Sequence, residues 1–267
     1  MQKNKTIVKV KDLSVRYCAN TFAVKNVSLD INRGDFLLIV GKNGSGKSTL
    51  VKALLGLLPC AAGKVEYIDS ETKKKIGYLP QAMEIQKDFP ATVTEVVLSG
   101  FVGKKGVFSF YTARDKKKVK EITDYLGIEK LLKKSFGELS GGERQKVLLA
   151  RALVCASYCD VCREKRCSCH EETFCHTNGL IVLDEPSNGL DPVANRNLYE
   201  ILEKLRREKG MTVVMVSHLV DSAAEYADKI LHMDTEAVFY GDKDEYLKTE
   251  LGKRFFGKES LEGCGNE

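Results

Sequence analysis

The stretch that decides the fold is Phe36-Leu37-Leu38-Ile39-Val40, followed without a break by Gly41-Lys42-Asn43-Gly44-Ser45-Gly46-Lys47-Ser48-Thr49. Five consecutive apolar residues without polar alternation read as a strand covered by helices on both faces of a parallel sheet. The octet that follows has the pattern Gly, four residues, Gly-Lys and then Ser. It runs into a helical pattern over 48–58, apolar at Leu50, Leu54 and Leu57 and stopped by Pro59. Strand, glycine-rich loop and helix in that order are the setting of a phosphate-binding loop. The glycines let the backbone wrap so that successive N–H groups point inward at phosphate oxygens. The helix adds the positive end of its dipole. Lys47 is expected on the β- and γ-phosphates, and the Ser48 hydroxyl on Mg²⁺.

Two more apolar runs, 180–183 and Thr212–Val216, have the same buried-strand character. They end in Asp184-Glu185 and Ser217-His218. In open α/β sheets the chemistry sits off the carboxyl ends of the strands, so three polar strand ends point to one site. Asp184 is expected beside the Mg²⁺, through a water. Glu185 can polarise an attacking water as general base. Asp191-Pro192 reads as an N-cap with proline in the first turn, opening a helix that Gly210 ends. Residues 6–31 read as short antiparallel strands. Residues 82–152, with helical patterns at Val93–Leu98 and 119–126, read as a mostly helical insertion. Residues 257–267 are Gly- and Glu-rich and are expected to fray.

Composition excludes several classes. With 42 Lys and Arg, 37 Asp and Glu and 43% hydrophobic residues in 267, the chain is neither a disordered tail nor a coiled coil. A net charge of +5 gives no argument for nucleic-acid binding, and no nucleic-acid partner is expected. The longest uncharged run, 53–63, falls well short of the roughly 20 apolar residues a membrane span requires. The Lys-rich start has no apolar h-region, so no secretory signal is expected. A cytoplasmic location follows, where thiols stay reduced, and nine Cys then need a reason other than disulfides.

Leu139-Ser140-Gly141-Gly142-Glu143-Arg144-Gln145 is the most specific string in the chain. Ser140 and Glu143 form the S-x-x-E capping box that starts a helix. Gly141 and Gly142 leave backbone N–H groups open to an anion. On its own the string reads as a well-capped helix. Beside a phosphate loop, it is a second anion-binding helix start that one nucleotide in one subunit does not need.

At this point the sequence resembles the ATP-binding cassette (ABC) family, over roughly residues 8–241. The string 139–145 resembles that family's signature. Tyr17 sits where the family has an aromatic that stacks on adenine. Gln81, after Gly77-Tyr78-Leu79-Pro80, matches a glutamine that contacts Mg²⁺ and the attacking water and links the site to a membrane partner. Ser187-Asn188-Gly189-Leu190-Asp191 matches the loop that crosses the dimer interface, with Asp191 its acid. His218 matches a histidine on the γ-phosphate. The implied fold is α/β: a P-loop NTPase cassette (6–241) with a RecA-like core, an N-terminal antiparallel β subdomain and an inserted α-helical subdomain (82–152). A C-terminal extension (242–267) follows.

The implied activity is ATP hydrolysis in a head-to-tail homodimer. Two ATP molecules are sandwiched between 41–49 of one copy and Ser140, Gly141 and Gly142 of the other. Glu185, His218 and Gln81 are the implied catalytic residues, Glu185 and Gln81 on the water and His218 on the γ-phosphate, and Ser48, Gln81 and Asp184 bind Mg²⁺. The region between Gln81 and Leu139 is too short for the coiled-coil arm of DNA-repair relatives, and the chain carries one set of motifs. An iron–sulfur assembly ATPase stays open as the alternative. The stretches 89–100 and 215–233 resemble the zinc and manganese uptake branch. That implies a separate integral membrane permease as partner, an extracytoplasmic metal-binding protein as an indirect one, and attachment to the inner face of the cell membrane.

Residues 154–179 depart from the family pattern. They carry Cys155, Cys159, Cys162, Cys167, Cys169 and Cys175 with His170 and His176. Zn²⁺ takes four such ligands in a tetrahedron, and the 159–162 pair lets one turn supply two thiolates. A small zinc-binding loop using Cys159, Cys162, Cys167, Cys169 and Cys175 is expected. A redox-labile loop and a sensor of the transported metal are the alternatives.

Overall fold

The chain begins with two long strands, β1 (Thr6–Cys18) and β2 (Thr21–Asn32). The decisive stretch forms β3 (Phe36–Val40) and α1 (Lys47–Leu54). Then come β4 (Ala62–Tyr67), α2 (Ser70–Lys74), β5 (Ile76–Leu79), α3 (Val93–Leu98), α4 (Ala113–Tyr125) and α5 (Gly141–Ala156). The remainder is β6 (Leu180–Asp184), α6 (Pro192–Lys209), β7 (Thr212–Val216), α7 (Val220–Ala224), β8 (Lys229–Asp234), β9 (Glu236–Asp242), α8 (Lys243–Lys248) and α9 (Glu250–Glu262). This computed structural model describes residues 5–18, 21–68, 70–81, 90–102, 110–157, 179–218 and 220–262. They divide into two units, Met1–Ile68 with Val213–Glu267, and Asp69–Thr212.

In the first unit β1 is the centre of an antiparallel sheet ordered β2-β1-β4. Val8, Val10, Leu13 and Val15 of β1 and Val24, Val27, Leu29 and Ile31 of β2 are buried. The antiparallel reading of 6–31 is borne out. A second sheet places β7, β3 and β8 side by side in parallel, with β9 returning antiparallel. Every residue of β3 and β7 is buried, as the unbroken apolar runs predict. Helix α1 stops at Leu54, four residues short of the predicted end. Gly56 takes a left-handed conformation, and Leu57 behind it is 61% exposed.

In the second unit β5 pairs in parallel with β6, in register from Ile76↔Leu180 to Leu79↔Leu183. Helix α5 packs against β5 and α3. Helices α3, α4 and α5 all begin with a complete capping box, at Thr92–Glu95, Thr112–Asp115 and Ser140–Glu143. Each satisfies the reciprocal pair of orphan donors. Helix α5 extends to Ala156, into the segment 154–179 that departs from the family pattern. Cys155 therefore belongs to its last turn, where its thiol donates to the Ile76 carbonyl at 3.0 Å. Helix α6 opens on Asp191 and closes on Gly210, as predicted.

The expected fraying of 257–267 is met in part by helix: residues 257–262 continue α9, and 263–267 lie outside the described residues. The cause lies one turn earlier: Phe255 meets the His232 ring edge-on at 4.6 Å, and Phe256 meets Tyr246 at 6.1 Å. An aromatic cluster with buried His232 and Tyr246 at its centre anchors the helix.

Candidate functional site

The phosphate loop is held from behind by backbone. A Cβ on Gly41 would lie 2.2 Å from the Met233 carbonyl oxygen, and one on Gly46 would lie 2.1 Å from that of Ala23. Both have positive φ, 142° and 93°. Only glycine allows this approach. The Thr235 N–H donates to the Ser45 carbonyl at 3.0 Å, and the Lys25 N–H donates to the Thr235 carbonyl at 2.8 Å. The turn between β8 and β9 thus fastens the loop to β2. The buried Lys47 Nζ donates to the carbonyls of Gly41 and Lys42, each at 2.8 Å, and so sits within the curve of the loop. The Ser45 hydroxyl is 3% exposed and has no hydrogen-bond partner among the described residues. A buried orphan donor in an N–H-lined loop suits an anion.

Two further predicted residues belong to this unit. Tyr17 is 62% exposed, and its hydroxyl pairs with Thr49 Oγ1 at 2.9 Å. The pair fixes the edge of the ring and leaves its bulk open for stacking. His218 follows β7, and the Ser217 N–H donates to the Ile39 carbonyl at 3.4 Å. The carboxyl ends of β3 and β7 are therefore adjacent, so His218 and the phosphate loop leave the sheet side by side.

The second unit gathers the acids. Asp184 ends β6 and is 2% exposed. Because β5 lies in register beside β6, Gln81 emerges next to Glu185. Gln81 Nε2 donates to Glu185 Oε2 at 2.9 Å. Burial and then the Asp184 charge push the Tyr78 hydroxyl up to about 12, so it stays neutral. Glu185 has φ 50°, a left-handed conformation that non-glycine residues adopt at a cost of order 1–3 kcal/mol. Asn188, read in the sequence only as part of the loop 187–191, adds a second bond to this carboxylate. Its side-chain amide donates to the same Oε2 at 2.6 Å. The Ser187 hydroxyl pairs with Tyr199 at 3.2 Å, and Asp191 Oδ1 accepts from the N–H groups of Val193 and Ala194 at 3.0 Å each.

Ser140 and Glu143 form the box the sequence predicted. Ser140 Oγ accepts from the Glu143 N–H at 3.3 Å, and Glu143 Oε2 accepts from the Ser140 N–H at 2.9 Å. The backbone bond from Ser140, then its hydroxyl, hold the Glu143 carboxyl below the usual carboxylate range. Ser140, Gly141 and Gly142 share a cavity of about 590 Å³ with Gly189 and Asp191. A Cβ on Gly142 would come within 3.3 Å of Ala194 Cβ, so the N-termini of α5 and α6 converge on that cavity. The Gln145 amide nitrogen is buried at its edge, without a partner among the described residues.

A family model described as ABC transporter matches residues 24–159, half of the chain. The chain belongs to the ABC transporter family. It is 32% identical over 91% of its length to the zinc uptake system ATP-binding protein ZurA of Listeria monocytogenes, covering 88% of that protein. It is 33% identical over 94% of its length to the manganese transport system ATP-binding protein MntB of Halalkalibacterium halodurans, covering 92%. A solved structure described as a metal-chelate type ABC transporter in an inward-facing conformation superposes with a TM-score of 0.77 at 29% identity. The match covers 95% of this chain and 90% of that one.

The expected fold and activity hold: this ABC cassette is an ATPase. Its residues also fit Mg²⁺-ATP. The orphan Ser45 hydroxyl and the buried Lys47 suit phosphate. The Ser48 hydroxyl of the first unit, and the Asp184 carboxylate and Gln81 amide oxygen of the second, are each hard oxygen donors of the kind Mg²⁺ prefers. Among the described residues no group of three or more His, Cys, Asp or Glu side chains is placed to hold a metal ion. Cys159, Cys162, Cys167, His170, Cys169, Cys175 and His176 lie outside the described residues. No helix among the described residues is long and apolar enough to cross a membrane.

Proposed function

We propose that this chain is the ATP-hydrolysing subunit of a divalent-metal importer with zinc or manganese as cargo. The observation that carries the reading is its similarity, over more than nine-tenths of its length, to cassettes named for zinc and manganese transport. The chain then works on the cytoplasmic face of the membrane, bound to a separate permease. An extracytoplasmic metal-binding protein delivers the cargo to the other face.

The working unit is a head-to-tail homodimer. Residues 41–49 of one copy hold the ATP phosphates, Tyr17 stacks on the adenine, and Ser140, Gly141 and Gly142 of the other copy close over the γ-phosphate. Asp191 borders that seam. Each copy carries one phosphate loop and one capped helix with its own cavity, which supports this division of labour. Ser48, Gln81 and Asp184 would hold Mg²⁺, which when bound neutralises charge on the β- and γ-phosphates. Glu185 takes a proton from the attacking water, and His218 holds the γ-phosphate. ATP binds the closed dimer better than the open one, and that difference drives the permease between its two states.

The cysteine-rich segment is read as a zinc-binding loop through Cys159, Cys162, Cys167, Cys169 and Cys175. Metal analysis of the purified protein checks it: about one equivalent of zinc supports the loop, and less than half an equivalent opposes it. The transport reading is tested by affinity purification of the chain from solubilised membranes. Recovery of an integral membrane permease supports it. Recovery of soluble iron–sulfur assembly proteins instead would overturn it.

A further inference from the structure

We propose that Asn188 is a positioning residue for hydrolysis, fixing the Glu185 carboxylate through a hydrogen bond to Oε2. The inference rests on the reading of Glu185 as general base and adds the residue that aims it.

Three observations carry it. The first is the bond itself. Asn188 Nδ2 lies 2.6 Å from Glu185 Oε2, closer than the 2.9 Å of Gln81. A bond to a carboxylate is charge-assisted and roughly twice as strong as a neutral one. The carboxylate can only accept, so the Asn188 amide must present its nitrogen.

The second is the rigidity of the turn that carries the amide. The Asn188 N–H donates to the Glu185 carbonyl at 3.3 Å, and the Leu190 N–H to the Ser187 carbonyl at 3.1 Å. The Ser187 hydroxyl is tied to buried Tyr199 on α6. Asp191 is spent capping the same helix. The amide therefore arrives on a locked turn. A preorganised donor loses little entropy when it holds its acceptor.

The third is the backbone of Glu185. At φ 50° this residue departs abruptly from the direction of β6, and its side chain is not aimed by the strand's own pleat. Bonds from other side chains must aim it. Gln81 divides its amide between Glu185, through Nε2, and its assigned Mg²⁺ and water contacts, through its oxygen. Asn188, in the loop 187–191, is assigned to neither the Mg²⁺ nor the water. Two amides on one oxygen stop the carboxylate from rotating, which keeps one lone pair directed at the water.

The test uses the full-length protein and steady-state ATP hydrolysis. Asn188→Ala should lower kcat by about tenfold, a typical loss for a misaligned base, with KM for ATP changed less than about twofold. Asn188→Asp keeps the shape and removes the donor, so it should lose at least as much. A double-mutant cycle supplies the sharper readout. In a Glu185→Gln background, Asn188→Ala should change the residual rate less than about twofold, because the carboxylate it serves is gone. Wild-type kcat in Asn188→Asp, or the same tenfold loss in the Glu185→Gln background, would overturn the proposal. If Glu185→Gln alone hydrolyses ATP at the wild-type rate, the base assignment itself falls, and that result is distinct from either of the others.

Discussion

The side-chain amide of Gln81 donates to Glu185 across 2.9 Å, joining the residue that follows β5 to the one that follows β6. Parallel pairing in register sets this up, since Leu79 and Leu183 are partners and the two strands end together. On the proposed reading, a signal from a permease to Gln81 needs one bond to reach the Glu185 carboxylate. Gln81→Ala removes that bond. It should lower kcat by about tenfold, less than the roughly 10²–10⁴-fold a proton-transfer group itself supplies because Gln81 only orients the base, and leave ATP affinity nearly unchanged. Hydrolysis rates measured over a range of ATP concentrations separate the two parameters.

Lys47 makes the opposite prediction. Its buried ammonium sits on the carbonyls of Gly41 and Lys42, at the position a phosphate approaches. Lys47→Ala removes a charge-assisted contact to the nucleotide of about 1.5–3 kcal/mol. ATP affinity should fall by roughly 100-fold, which is about 2.7 kcal/mol. Titration with a fluorescent ATP analogue reads this directly.

Ser140→Ala should have two separable effects. Loss of the N-cap costs about 1 kcal/mol and lowers the thermal midpoint by about 2–4 °C. In the proposed head-to-tail dimer, loss of the Ser140 hydroxyl should weaken the ATP sandwich without touching the phosphate loop. Scanning calorimetry checks the first. Size-exclusion chromatography with ATP, in a Glu185→Gln background, checks the second: the dimer should disappear while nucleotide binding persists.

His232 predicts a pH dependence of stability. The residue pairs with Val40, one position before the phosphate loop, and its Nδ1 meets the Tyr246 hydroxyl at 2.5 Å. Burial lowers its pKa from the ordinary 6.5; Asp234 opposes this, and Lys47 and Lys42 add to it. The folded state therefore resists protonation. Stability is full above about pH 6.5 and falls as pH drops through the lower folded-state value. His232→Asn, which cannot titrate, should lose less stability than wild type below pH 6.5. Urea unfolding at a series of pH values measures the difference.

Much of the site was legible in the chain because it rests on local rules. A buried strand entering Gly41-Lys42-Asn43-Gly44-Ser45-Gly46-Lys47-Ser48 leaves few other structures, and Ser140 with Glu143 spells its own cap. Asp191-Pro192 and Gly210 bounded α6 for the same reason. The residues that were not legible depend on contacts between distant positions. Asn188 reads in the sequence as part of the 187–191 loop, and only the folded turn brings its amide onto Glu185. His232 lies in the stretch 215–233, and its place beside Val40 follows from sheet order. The extent of α9 followed from Phe255 and Phe256 finding His232 and Tyr246, which local composition does not encode. Thr92 with Glu95 and Thr112 with Asp115 carry capping signals legible in the sequence.

The central claim is that ATP hydrolysis by this chain powers divalent-metal uptake. The most direct measurement is accumulation of radiolabelled zinc and manganese in cells lacking the protein, complemented with the wild-type chain or with Lys47→Ala. Uptake of one of the two metals should fall in the deletion, return with the wild-type chain and stay low with the variant. Unchanged uptake of both metals in the deletion, or full rescue by Lys47→Ala, would contradict the account.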